Sequence, residues 1–93
     1  MDLEKIESCI IDRIENNLRD SGDKIPTIDS NTSVFNGIPG FDSLRTIEVL
    51  IDLEDVFKCE LPPEKVFVKK PPGSENIRDV SLAVSRVIEE NEQ

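Results

Sequence analysis

The sequence predicts an all-α domain, a small four-helix bundle of three long helices and one short helix, with a long loop between helices 1 and 2. Two observations predict it. Apolar residues recur at spacings of three and four in three separate segments, as on the buried face of an amphipathic helix. The core must be aliphatic, because 37% of the 93 residues are hydrophobic while the chain has four Phe, no Trp and no Tyr. A chain of this length suits one domain, assigned to residues 1–93.

The first predicted helix runs from Leu3 to about Arg19. Asp2 is placed to cap its first turn and Gly22 to end it, and Pro26 prevents its continuation. Its apolar residues are Leu3, Ile6, Ile10, Ile14 and Leu18.

A loop rich in Pro, Gly, Ser, Thr and Asn is predicted over residues 25–41, and its apolar residues are expected to anchor it on the helices. The second helix is predicted to begin at Asp42 or Ser43 and to end near Phe57. Its apolar residues fall on more than one face, which is typical of a central helix with neighbours on several sides. The loop anchors are Ile28, Val34, Phe35 and Ile38.

The rest of the chain predicts a short turn and a last helix. Leu61-Pro62-Pro63 interrupts the helical pattern, residues 64–67 are predicted to form one helical turn, and residues 69–73 break it again. Ser74 is a candidate N-cap for the last helix. The apolar residues of that helix are Ile77, Val80, Val84, Val87 and Ile88.

Charge and composition exclude several classes of function. The chain has 20 acidic and 11 basic residues, and its net charge of -9 repels nucleic acids and anionic membranes. It has no His, so the usual general base, zinc ligand and Ser-His triad are missing. Cys9 and Cys59 are predicted to be small buried hydrophobes and not a disulfide. We expect a cytoplasmic, monomeric, non-catalytic protein with basic protein partners, no metal site, no signal peptide and no membrane span.

The segment Gly40-Phe41-Asp42-Ser43-Leu44 carries the prediction of function. It places Ser43 where a surface loop meets a helix. Gly40 allows a tight approach of the backbone, and Asp42 is suited to cap the helix. A phosphodiester on Ser43 would lie near the unpaired N–H groups of the first helical turn, which stabilise a negative charge by about 0.3–1 kcal/mol.

This motif and the helix after it resemble the signature of acyl carrier proteins. The residues concerned are Asp42-Ser43-Leu44, then positions 46–50 (TIEVL), positions 53–57 (LEDVF) and Glu60-Leu61-Pro62. The resemblance implies a bundle of the acyl-carrier type in which Ser43 receives 4′-phosphopantetheine from coenzyme A through a separate phosphopantetheinyl transferase. It also implies that the thiol of the arm carries acyl groups as thioesters, as in fatty-acid or polyketide biosynthesis.

The same helix supplies candidate docking residues for acyl-transferring or acyl-activating enzymes with basic patches. Glu48, Asp52 and Asp55 are spaced four and three apart, so they share one face beyond Ser43, where they can steer a basic partner or simply be solvated. Leu44 and Ile51 are expected to contact partners by the resemblance, with a place in the core as the alternative. For Ile47, core and interface are both open.

Two departures from the family pattern indicate a specialised carrier that serves one dedicated pathway. Arg45 places a positive charge two residues after Ser43, where fatty-acid carriers usually have an acid. The segment at positions 66–73 (VFVKKPPG) is more basic and looks longer than the family's. A loaded acyl chain is expected to shelter among Leu44, Leu50, Ile51 and Phe67.

Four other functions would use parts of the same sequence. A peptidyl or aminoacyl carrier shares the fold and the arm, and an unmodified docking module would keep the fold alone. A calcium loop at Asp29, Asn31 and Ser33 lacks the required Gly at its sixth position and Glu at its twelfth. A hydrolase that uses Ser43 directly lacks any histidine.

Overall fold

The computed structural model describes residues 2–22, 24–35, 37–39, 41–67 and 74–91. Within these residues it contains four helices and no β-strand. They are α1 (Leu3–Asp20), α2 (Ser43–Phe57), α3 (Pro63–Val66) and α4 (Ile77–Asn91). The predicted all-α class, with three long helices, one short helix and a long connection between the first two, is confirmed.

The core lies where α1 packs against α2 and α4, and α3 packs against α4. Each fully buried aliphatic side chain contributes about 1.5–3 kcal/mol to this packing. The predicted stripe of α1 is confirmed except at its first residue, because Leu3 is half-buried and the other four residues are buried. These are Ile6, Ile10, Ile14 and Leu18.

Both ends of α1 follow the sequence signals. Asp2 has extended backbone, and its carboxylate accepts a hydrogen bond of 3.2 Å from the backbone N–H of Glu4. At the other end, Gly22 adopts φ +77°, and its N–H donates to the carbonyl of Arg19 at 3.0 Å. A residue with a Cβ is strained at that φ, so glycine suits this position.

The loop before α2 is fastened to the start of α4 by backbone hydrogen bonds. The N–H of Val34 donates to the carbonyl of Glu75 at 3.0 Å, and the N–H of Ile77 donates to the carbonyl of Thr32 at 3.0 Å. They form an isolated antiparallel bridge between Ser33 and Asn76. A third bond runs from the N–H of Arg78 to the carbonyl of Ser30 at 3.0 Å. The long loop is therefore ordered by pairing as well as by its buried apolar side chains.

The predicted N-cap of α4 is wrong. Its first turn is capped by Asn76, whose side-chain oxygen accepts from the N–H of Asp79 at 2.8 Å. Asp79 returns the interaction, since its carboxylate accepts from the N–H of Asn76 at 3.1 Å. A cap must directly precede the first helical residue, and Ser74 lies too early because residues 75 and 76 pair with the loop. The predicted breaker at 69–73 lies outside the described residues.

The two cysteines are free and do not form a disulfide. Cys9 and Cys59 are half-buried and pack against the edge of the core. They therefore pack as small hydrophobes, as predicted, but the prediction that both are buried is wrong.

Candidate functional site

Two buried residues hold the chain just before α2. Ile38 and Phe41 are both in the core, and the N–H of Phe41 donates to the carbonyl of Ile38 at 3.2 Å. Immediately before them, the N–H of Gly37 donates to the carbonyl of Ser33 at 2.9 Å. A Cβ on Gly37 would lie 2.8 Å from that oxygen, so the backbones can approach this closely only with glycine. The close approach predicted for Gly40 lies outside the described residues.

Asp42 caps α2, as predicted. Its backbone is extended (φ -110°), and its carboxylate accepts from the N–H of Arg45 at 3.0 Å. The carbonyl of Asp42 accepts from both the N–H and the hydroxyl of Thr46, at 3.0 and 2.8 Å. The backbone of Ser43 is thereby placed at the first helical position. The first N–H groups of a helix lack intrahelical partners, so this position favours a negatively charged group.

The outer face of α2 carries large apolar side chains next to Ser43. Leu44 is 67% exposed, Ile47 46% and Ile51 59%. All three lie outside the core, so the alternative that they are core residues is excluded for each of them. We call them the apolar stripe. The expectation that α2 has neighbours on several sides is wrong, because only one side of the helix is covered. The buried residues on that side are Thr46, Val49, Leu50 and Leu53.

The predicted acidic residues share this outer face and differ in what holds them. Glu48, Asp52 and Asp55 are all exposed. Glu48 accepts a hydrogen bond of 3.1 Å from the side-chain amide of Asn17 on α1. The carboxylate of Asp55 lies 3.7 Å from the ammonium of Lys58. The sequence alone does not predict the role of Asn17, because it is 31 positions from Glu48 and no periodic pattern connects the two.

The structure corrects the predicted shelter for an acyl chain. Leu50 and Phe67 line a small apolar cavity of about 20 Å³ between α1, α2 and α4, but Leu44 and Ile51 are exposed and do not reach it. A volume of this size holds about one water molecule, so an acyl chain would enter only if the helices moved apart. The cavity is lined by Ile10, Ile14, Val34, Thr46, Val49, Leu50, Leu53, Phe67 and Val80.

The segment considered as a calcium loop has another role. The carboxylate of Asp29 accepts from the N–H of Asn31 at 2.9 Å and from the hydroxyl of Thr32 at 3.2 Å, so it stabilises a turn. Within the described ranges, no group of three or more His, Cys, Asp or Glu residues is arranged to hold a metal ion. Among those same residues, none of the helices has the length and apolar character needed to cross a membrane.

No model of a protein family matches this chain, and neither a curated protein nor a solved structure matches it. Only the sequence and geometry of this chain therefore bear on its function. The residues form an all-α bundle that places a serine at the capped start of a helix, beside an exposed apolar and acidic face.

Proposed function

We propose that this chain is an acyl carrier protein, with Ser43 as the attachment point for a 4′-phosphopantetheine arm. The observation that carries the proposal is the position of the Asp-Ser-Leu motif. Asp42 caps α2, Ser43 is its first residue and Leu44 is exposed, so the motif lies at the start of α2, next to the apolar stripe. As noted above, a phosphodiester on Ser43 would benefit from the positive end of the helix dipole.

In the proposed reaction, the hydroxyl oxygen of Ser43 forms the new bond to phosphorus, and the adenosine bisphosphate portion of coenzyme A leaves. The serine proton must pass to the phosphopantetheinyl transferase, because this chain has no histidine to accept it. The chain contributes the position of Ser43 and the surface on which the transferase docks. In this proposal it has no catalytic activity of its own.

The outer face of α2 supports docking of basic enzymes that transfer or activate acyl groups. The apolar stripe supplies area to bury, and Glu48, Asp52 and Asp55 supply negative charge beside it. Charge of this kind raises the rate of encounter with a basic partner, and added salt weakens this effect. Encounters of this kind suit a monomer that delivers one intermediate to several enzymes in turn. We also propose that the protein acts in the cytoplasm.

We further propose a dedicated fatty-acid or polyketide-like pathway, motivated by Arg45. This half-buried residue adds a positive charge at the end of the acidic face that borders Ser43. General fatty-acid elongation enzymes should therefore use the loaded carrier poorly. Efficient turnover by those enzymes would contradict this part of the proposal.

The experiment that tests the proposal is intact-protein mass spectrometry after incubation with coenzyme A, magnesium and a broad-specificity phosphopantetheinyl transferase. The parent chain should gain the mass of one phosphopantetheine, and Ser43→Ala should gain none. Ser8→Ala is the matched control, because Ser8 is an exposed serine on α1, and it should be modified like the parent. A mass gain in Ser43→Ala would overturn the assignment of the site.

The exposed apolar stripe favours a second candidate, an unmodified docking module, since its three side chains are available for contact whether or not Ser43 is modified. No mass gain with several transferases would support this candidate. If the mass is gained, loading with an adenylating enzyme would distinguish a peptidyl or aminoacyl carrier from an acyl carrier.

A further inference from the structure

One side-chain hydrogen bond connects α1 to the outer face of α2. The side-chain amide of Asn17 donates to the carboxylate of Glu48 at 3.1 Å. Glu48 is one of three acidic residues beside the apolar stripe, and the bond shows that it lies on the flank of α2 that faces α1. Residue Asn17 therefore touches the candidate docking face from a different helix.

Stability alone does not explain Asn17. Its side-chain oxygen is buried, and among the described residues it has no hydrogen-bond partner. A buried polar atom without a partner lowers stability, and an apolar side chain at this position would avoid that cost. Glu48 does not need the bond either, because it is exposed and water can solvate it.

We infer that Asn17 is a positioning residue for partner docking, a role that depends on the proposed carrier function. The bond to Asn17 restricts the flexible Glu48 side chain and keeps its carboxylate on the α1 side of the apolar stripe. A partner that covers the stripe then meets this negative charge on one side only, so its basic side chain must approach from α1. The side-chain entropy that Glu48 would otherwise lose on binding is already spent in the free protein.

The expected effect is a loss of affinity without a loss of chemistry. Freeing one long side chain at an interface should weaken binding by roughly two- to tenfold. Asn17 is on a different helix from Ser43, so the rate of the bound complex should not change. KM should therefore rise while kcat stays constant.

The test measures KM and kcat of a phosphopantetheinyl transferase with the full chain as its substrate. Asn17→Leu should raise KM by roughly two- to tenfold at unchanged kcat, with a midpoint of urea unfolding equal to or above that of the parent. Asn17→Ala, which cannot overpack the interface, should raise KM similarly. Asn16→Leu is the matched control, because among the described residues the Asn16 side chain bonds within α1, to Asp12 and Arg19, and it should leave KM unchanged.

The same substitution in a Glu48→Ala variant distinguishes a positioning role of Asn17 from a general effect of Asn17→Leu on the fold. Because Asn17 acts through Glu48, Asn17→Leu should raise KM no further when Glu48→Ala is already present. An equal rise of KM in both backgrounds would overturn the inference, as would an unchanged KM in Asn17→Leu. If mass spectrometry shows no arm on the parent, the proposed function fails and the inference falls with it. If the arm is attached and KM does not move, the inference alone fails.

Discussion

The cap of α2 offers a direct test of how the start of this helix is held. In Asp42→Ala, the carboxylate that accepts from the N–H of Arg45 at 3.0 Å is lost. Removal of such a cap lowers the free energy of unfolding by about 1 kcal/mol. The two hydrogen bonds from Thr46 should survive, because they end on the backbone carbonyl of Asp42. For a domain of this size, a loss of 1 kcal/mol lowers the melting temperature by about 4–8 °C.

Two companion variants identify the cause. Asp42→Asn keeps an oxygen that can accept the same bond, so its stability should stay within about 0.5 kcal/mol of the parent. Asp52→Ala removes an exposed acid from the middle of the same helix without removing a cap, and it should also change stability by less than about 0.5 kcal/mol. The measurement is urea unfolding followed by far-ultraviolet circular dichroism. The reasoning is refuted if Asp42→Ala matches the parent, or if Asp42→Asn loses as much stability as Asp42→Ala.

Three further pairs of substitutions test the packing, the end of α2 and the contact between α1 and α4, all by chemical denaturation. Leu53→Ala, in the core, should cost about 2–5 kcal/mol, whereas Val56→Ala, 41% exposed on the same helix, should cost less than about 1 kcal/mol; similar losses would contradict the assigned core. Lys58 adopts the left-handed conformation (φ 55°), so Lys58→Gly should be more stable than Lys58→Ala by about 1 kcal/mol; equal stability would argue against strain there. The buried carboxylate of Glu7 lies 3.4 Å from the guanidinium of Arg78, and one of its oxygens has no partner among the described residues, so Arg78→Ala should lose about 1 kcal/mol, whereas Glu7→Leu should lose little or nothing. The opposite order would refute the role of the ion pair.

Local signals predicted the helices well because each signal acts within a few residues. The apolar spacing of α1 and its capping residues Asp2 and Gly22 lie in one continuous stretch, and the structure uses all of them. The same is true at the start of α2, where Asp42 stands directly before the first helical residue. In both cases the neighbouring sequence contains everything that the local geometry requires.

Features that depend on distant residues could not be predicted in this way. The cap of α4 falls on Asn76 because the preceding residues pair with the loop at Ser33, which is more than 40 positions away. The hydrogen bond from Asn17 to Glu48 likewise joins two helices. On α2, the apolar pattern alone does not say which side chains are covered, so the exposure of Ile47 follows only from the packing of α1 against the opposite side of the helix.

The pairing of the loop with the start of α4 has a consequence for how the protein matures during synthesis. The N–H of Val34 and the carbonyl of Thr32 find their backbone partners in Glu75 and Ile77, so a nascent chain that ends after α2 has no partner for these two groups. A chain made at about 5–20 residues per second therefore waits several seconds between the synthesis of the loop and the arrival of the residues that complete it. The loop in this paired form therefore exists only once the first residues of α4 have been made. An enzyme that requires this form would act on the finished protein and not on the growing chain.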